Sequence, residues 1–319
     1  MKKYIVGVDI GGTNIKSGIL LDNGEVLLTK SIKTEANRGA DYVLEKIKNL
    51  IFEMLNEMKI EKESVIGIGM GIPGPTSTDT GIVNFCPNMK GWENYRAESV
   101  LFAKTGIPVK IGNDVNVITL GETWKGAAVG YKNVLGITLG TGIGGGLVID
   151  GKLVSGFTGA AGEVGHLKIE KNGKLCGCGQ YGCWEAYASA TGLIREAASR
   201  LLVCNNSKLW EHINGDLNKI EAKDIFDFAK EGDKLCLELV DFEINYLSFG
   251  LASLINVINP EIVVIGGGIS LAGDILFEGL LKKLNEYTLK VALQSVNVVP
   301  AKLGNDAGIV GAAALIKLI

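Results

Sequence analysis

Three of the six cysteines and one of the two histidines of this 319-residue chain fall within "GHLKIEKNGKLCGCGQYGCWE", residues 165–185. His166, Cys176, Cys178 and Cys183 are separated by nine, one and four residues. Three thiolates and an imidazole complete the tetrahedral shell of a borderline-soft ion such as Zn²⁺ and leave no open position for water, so the chemistry expected here is a closed, structural metal site. The spacing is not that of a C-x₂-C finger, but Gly173, Gly177, Gly179 and Gly182 let a short loop wrap one ion. Such an ion would pin a polar stretch that has too few apolar residues to fold on a core of its own. With one ring nitrogen of His166 on the metal, the other carries a proton and points outward as an oriented donor. Glu163 and Glu185 flank the cluster, and two carboxylates beside an imidazole suit the hydroxyls of a sugar. The metal would then shape a polyol-binding wall.

A second constellation is Asn113-Asp114-x-Asn116, one carboxylate between two amides. Phosphoryl transfer to an alcohol needs positioning and a carboxylate that accepts the hydroxyl proton, and Asp114 is the candidate base. The competing reading makes Asp114 the N-cap of the helix that begins near Val115. Asn88, in "FCPNMKGW", is a candidate hydroxyl contact or simply a turn former. Three glycine turns, "DIGGTNIK", "LGTGIGGG" and "IGGGIS", each follow a strand directly. Glycine lets backbone N–H groups approach phosphate oxygens, and Thr13 and Thr141 add hydroxyl donors. Asp9 is placed to organise a hydrated Mg²⁺ beside transferring phosphates. The nucleotide candidates are therefore Asp9, Gly11, Gly12, Thr13, Lys16, Thr141, Gly142, Gly267 and Gly268. "GTGIGG" formally matches a dinucleotide fingerprint, but a strand follows where that fingerprint requires a helix. The second histidine, His212, reads as a surface or helix-end residue. No Ser-His-Asp or nucleophilic-cysteine arrangement can be assembled.

These residues need a scaffold that ends strands in glycine turns. The first thirty residues read as a meander of three strands, and "VLGITLGTGIGGGLVIDGKLV" at 134–154 repeats the plan, Gly7, Asp9 and Gly11 finding counterparts in Gly136, Thr138 and Gly140. Val43, Leu44, Ile47, Leu50, Ile51, Met54, Leu55 and Met58 set a helix over 41–58. "IPVKIGNDVNVITLGETWKG" reads as a strand that delivers Asn113 and Asp114 to its carboxyl end before a helix. The architecture expected is two α/β lobes from one duplicated unit, with ligands at the carboxyl ends of strands. Hydrophobic residues make up 47% and charged residues 21%, with net charge −3, so nothing suggests a fibrous chain or a basic nucleic-acid footprint. Glycines and Asp9 interrupt the N-terminal apolar run before a signal-peptide core forms, which predicts a cytoplasmic protein. Cys86, Cys204 and Cys236 read as semi-buried thiols of a reducing compartment.

"DIGGTNIK", "GIPGP", "NDVN", "GTGIGGG", "GEVGH" and "CGCGQYGCWE" together resemble, in order and across nearly the whole chain, the ROK family of sugar kinases and sugar-responsive repressors, its bacterial glucokinase branch most of all. The resemblance implies the two-lobed actin-like, hexokinase-like ATPase fold, a duplicated ribonuclease-H-like domain, with lobes at 1–113, joined by the C-terminal helix 306–319, and at 114–305 with the metal loop. It implies ATP-dependent phosphorylation of a hexose at the 6-hydroxyl, with glucose the expected acceptor. N-acetylmannosamine, N-acetylglucosamine or fructose, or a sugar-sensing protein without catalysis, are the alternatives. Carried over by position, Asp114 is the base. Asn113, Glu163, His166 and Glu185 are hexose ligands. Asp9, Gly11, Gly12, Thr13, Thr141 and Gly142 lie in the phosphate and Mg²⁺ region, and His166, Cys176, Cys178 and Cys183 hold Zn²⁺. Repressors of the family carry an N-terminal winged helix, whereas here the first strand starts at Tyr4, so no nucleic-acid or membrane partner is expected. A homodimer or dimer of dimers is.

Overall fold

The computed structural model describes residues 2–86 and 89–318. Its first half runs β1 (Tyr4–Ile10), β2 (Asn14–Leu21), β3 (Val26–Lys33), α1 (Ala40–Glu57), β4 (Val65–Ile72), a short hairpin of β5 (Thr76–Ser77) and β6 (Ile82–Val83), α2 (Ala97–Thr105), β7 (Val109–Asn113) and α3 (Asp114–Lys125). The second half opens with β8 (Val134–Leu139), β9 (Ile143–Ile149) and β10 (Lys152–Leu153). After the cysteine loop come α4 (Glu185–Ala188), α5 (Ala190–Leu201), α6 (Lys208–His212), α7 (Ala222–Lys230) and α8 (Lys234–Ile258). The chain closes with β11 (Ile262–Gly266), α9 (Asp274–Tyr287), α10 (Lys290–Leu293), β12 (Asn297–Pro300) and α11 (Ala307–Leu318).

The two main sheets repeat one plan. Their orders are β3-β2-β1-β4-β7 and β10-β9-β8-β11-β12, a meander followed on one side by two later strands. β1, β2 and β3 pair antiparallel, whereas β1 with β4, β4 with β7 and β11 with β12 pair parallel. The repeated glycine turns of the sequence thus occupy equivalent places in equivalent sheets. β12, which no strong local pattern announces, completes the second copy.

The chain divides into two compact units, one of Met1–Gly136, Gly146–Gly162 and Ala301–Ile319, the other of Ile137–Gly145 and Glu163–Pro300. In the first unit, alternation along β1 turns Val6, Val8 and Ile10 toward the buried face of α1, with Val43, Leu44 and Ile47 in the same core. The opposite face carries Ile5 against Ile309, Val310 and Ala313 of α11. That helix lies close on the strands because Gly7 and Gly69 have no side chains: a Cβ there would stand 2.1 Å from the Ile309 carbonyl oxygen and 1.7 Å from that of Ala312. α11 also packs along α3, which is why this unit runs past residue 113 and holds all of α3.

In the second unit α8 packs against α7 and α9. Trp184, fully buried, lies against Gly250 of α8 and donates its indole N–H to the Tyr246 carbonyl at 2.8 Å. Cys86 and Cys236 are buried, but Cys204 is exposed, because it falls in the irregular segment after α5 and not on an inward helix face.

Candidate functional site

The cysteine loop is a set of short backbone pairings. Trp184 N–H reaches the Leu167 carbonyl at 2.8 Å, Cys176 N–H that of Gln180 at 2.8 Å, and Gly179 N–H that of Cys176 at 3.0 Å. Cys176, Cys183, Ala186 and Tyr187 bury together against Ile169, Phe242 and Tyr246. These ties bring one donor atom each from His166, Cys176, Cys178 and Cys183 within 4.8 Å of one another. Cys178 and Cys183 sulfurs are 3.7 Å apart, and Cys176 Sγ is 3.8 Å from His166 Nδ1. Tetrahedral ligands at about 2.3 Å from a central Zn²⁺ stand roughly 3.8 Å from each other, so these two spacings are those of such a shell. Nδ1 faces the cluster, which leaves Nε2 of the exposed His166 as the outward nitrogen. The Lys168 ammonium lies 2.8 Å from Cys183 Sγ, a partner for thiolate charge that ligand spacing alone does not reveal.

Glu185, first residue of α4, does more than border this loop. Its Oε2 accepts the Ile143 N–H at 3.0 Å, and its Oε1 is 3.6 Å from Cys176 Sγ. A Cβ at 142 would meet Glu185 Oε2 at 2.1 Å, so a side chain there would displace that carboxylate. Ala190 N–H, at the start of α5, holds the Gly140 carbonyl at 2.9 Å. Glu163 is exposed beside the short turn that carries His166.

Beside this glycine turn opens a cavity of about 410 Å³, lined by Thr141, Ala190, Phe226, Gly268, Ile269 and Leu271 among others. Its walls are largely apolar, while Glu221, Lys223, Asp227 and Lys230 also line it. A size and lining of this kind suit a flat heteroaromatic ring with a charged tail. Thr141 and Gly268, proposed from separate glycine turns, meet here. Gly267 holds φ +90°, and a Cβ on it would stand 2.3 Å from the Leu139 carbonyl oxygen. Phe226 and Lys223 were not foreseen, because the amphipathic pattern of α7 is that of any surface helix.

In the first unit, β7 ends at Asn113 and α3 begins at Asp114. The N-cap is Asn113: its Oδ1 accepts the N–H groups of Val115 at 3.0 Å and Asn116 at 3.1 Å, and its Nδ2 donates to the Gly74 carbonyl at 3.2 Å. That corrects the alternative which made Asp114 the cap. Asp114 occupies the first helical position, its Oδ1 3.0 Å from Val115 N, where the helix dipole favours a carboxylate. Burial first, and the Asp114 carboxylate second, push the Cys86 thiol up to about 12. Asn88 lies outside the described residues.

Asp9 sits on the α11 face of β1, opposite Lys16 in the β1–β2 register. It packs so close to the start of α11 that a Cβ on Gly308 would come 2.4 Å from its carboxyl carbon. Burial raises its pKa above the usual carboxylate value, opposed by the Lys16 charge. A desolvated carboxylate of this kind has an incentive to take up a cation. At the adjoining turn Gly11 N–H bonds the Asn14 carbonyl at 2.9 Å, and a Cβ on Gly12 would meet nothing within 4 Å. Gly12 and Thr13 are exposed there.

The fold and these sites define a sugar-kinase-like ATPase architecture, and comparison with known proteins agrees. The chain matches the ROK family over residues 5–318 and belongs to it. It is 39% identical to a glucokinase of Thermotoga maritima, over 99% of this chain and 98% of that one. It is 30% identical to a xylose repressor of Caldicellulosiruptor bescii, over 98% of this chain and 77% of the repressor. Among solved structures, a ROK glucokinase of Streptomyces griseus in complex with glucose and AMPPNP superposes with TM-score 0.81 at 32% identity, over 98% of both chains. No helix among the described residues is long and apolar enough to cross a membrane.

Proposed function

We propose that this chain is an ATP-dependent hexose kinase that converts glucose to glucose 6-phosphate. The observation that carries the reading is the start of α3: Asn113 caps the helix, which sets the Asp114 carboxylate at its first position, directly at the carboxyl end of β7. In this mechanism Asp114 accepts the proton of the sugar 6-hydroxyl as its oxygen attacks the γ-phosphorus. The bond from that phosphorus to the bridging oxygen breaks, and ADP leaves. Asn113, Glu163, Glu185 and the outward nitrogen of His166 orient the other hydroxyls, with Asn88 as a further contact. Thr141, Gly142, Gly267 and Gly268 serve the nucleotide beside the cavity against Phe226, and Gly11, Gly12, Thr13 and Lys16 the phosphates. Mg²⁺ held at Asp9 would neutralise phosphate charge, and Zn²⁺ held by His166, Cys176, Cys178 and Cys183 would keep the sugar-binding loop in shape. The same proposal includes a cytoplasmic homodimer or dimer of dimers, and no nucleic-acid or membrane partner.

The test is ADP release with ATP and Mg²⁺ over a panel of glucose, N-acetylglucosamine, N-acetylmannosamine, mannose and fructose. Glucose should give the highest kcat/KM. Asp114→Asn should keep glucose affinity while kcat falls about 10²–10⁴-fold, the usual worth of general-base catalysis. Glucose binding with no ADP release from any sugar would replace the kinase with a sensor, as the likeness to a repressor allows.

A further inference from the structure

The Glu185 carboxylate touches two places that the sequence presents as separate sites. One oxygen holds the backbone N–H of Ile143 at the end of the glycine turn, and the other lies 3.6 Å from the sulfur of Cys176. The carboxylate lies directly over residue 142, where a Cβ would stand 2.1 Å from its Oε2 and push it aside. Glu185 opens α4 two residues after Cys183, and the Trp184 N–H to Leu167 bond fixes that start to the strand of the loop that follows His166. The other end of the turn is held from the same side, by Ala190 N–H on the Gly140 carbonyl. The turn between those two holds lines the 410 Å³ cavity through Gly140 and Thr141.

We infer that Glu185 is a positioning residue that couples the metal-ligating loop to the nucleotide turn, so that filling the metal site tightens nucleotide binding with no sugar present. An ion held by Cys183 and its partners fixes the start of α4 two residues on, and thereby the carboxylate that orders the Ile143 amide and the turn. Without the ion the loop has few apolar residues to define it, and the turn loses one of its two holds. This inference rests on the reading of residues 140–143 as a phosphate turn.

The experiment compares protein loaded with Zn²⁺ and protein stripped by a chelator, in the wild type, Glu185→Gln and Glu185→Ala, always without sugar. Two quantities are read: hydrogen exchange of the Ile143 amide without nucleotide, and calorimetric affinity for the ATP analogue AMPPNP with Mg²⁺. Stripping the wild type should speed Ile143 exchange and weaken AMPPNP, each about tenfold, the worth of one charge-assisted hydrogen bond. In Glu185→Ala both losses should be present with the metal bound, and stripping should add nothing. Glu185→Gln, which keeps one acceptor oxygen, should lie between. The inference is overturned if stripping leaves both quantities unchanged in the wild type, or if it weakens AMPPNP as much in the variants as in the wild type. Should Glu185→Ala fail to fold, the Gln and wild-type arms still decide. If loaded wild type binds no AMPPNP, the nucleotide reading fails, while Ile143 exchange still reports on the coupling.

Discussion

Glu122 offers the sharpest test of how the helix that carries Asp114 is held. Its side chain is 1% exposed, and its two oxygens accept three backbone N–H groups: Ala127 at 2.7 Å, Leu303 at 2.8 Å, and Lys302 at 3.0 and 3.1 Å. The clamp thus ties the end of α3 to the segment that leads into α11, both within the first unit. A hydrogen bond to a charged group contributes about 1.5–3 kcal/mol net, and the lower figure applies because these donors are only partly buried. Three such bonds give roughly 4.5 kcal/mol, and the one methylene removed by Glu122→Ala adds about 0.8 kcal/mol. Glu122→Ala should therefore lose about 4–6 kcal/mol. Glu122→Gln keeps the shape but sets an NH₂ against at least one backbone donor, which should cost about 2–4 kcal/mol. Urea unfolding followed through Trp92 and Trp124, both in the first unit, measures this as a lower midpoint at unchanged slope. A Glu122→Gln protein within about 0.5 kcal/mol of wild type would refute the clamp, since that is the ordinary range of a surface substitution.

Glu243 on α8 is fully buried with no hydrogen-bond partner for either oxygen among the described residues, and burial raises its pKa well above the usual 4.5, slightly offset by Lys174. A raised carboxyl pKa penalises the folded state above the unfolded pKa, so stability should fall as pH rises from 4 toward 7. Glu243→Gln should flatten that slope, and denaturant midpoints with the same pH dependence in both proteins would discard the idea. Zn²⁺ held by three thiolates would carry a net charge of about −1, which Lys168, 2.8 Å from Cys183 Sγ, would offset. Lys168→Met should therefore surrender Zn²⁺ to a competing chelator faster than wild type, and equal release rates would count against this role. Gly69→Ala drives a Cβ into the Ala312 carbonyl and should destabilise by about 1–3 kcal/mol or more. Gly12→Ala has open space and should leave thermal stability unchanged while raising the KM for ATP; an unaltered KM would remove Gly12 from the phosphate region.

The gathering of His166, Cys176, Cys178 and Cys183 was legible in the sequence because few residue types ligate soft ions, so these four announce themselves by identity and proximity. The helix over 41–58 and the strand–glycine–strand openings were equally plain, since periods of 3.6 and 2 are local signals. The repeat of the first meander at residue 134 foretold two sheets of one plan, and the two strand orders repeat as expected. Ordinary residues were harder to read. Phe226 and Lys223 on α7 became pocket walls only when that helix packed beside the turns at 140 and 268, and nothing in their neighbours marks them.

Sequence alone also could not choose between Asn113 and Asp114 as the helix cap. Both residue types cap well, and only the chain path out of β7 put the Asn113 oxygen over the N–H groups of Val115 and Asn116. Glu122 reaches partners about 180 positions away, and Glu185 reaches Ile143 across 42. What the sequence by itself determined was chemistry held within a short stretch, where residue type and spacing are enough. The tertiary structure decided which distant groups share a carboxylate, because strand register and glycine-permitted helix contacts set those distances.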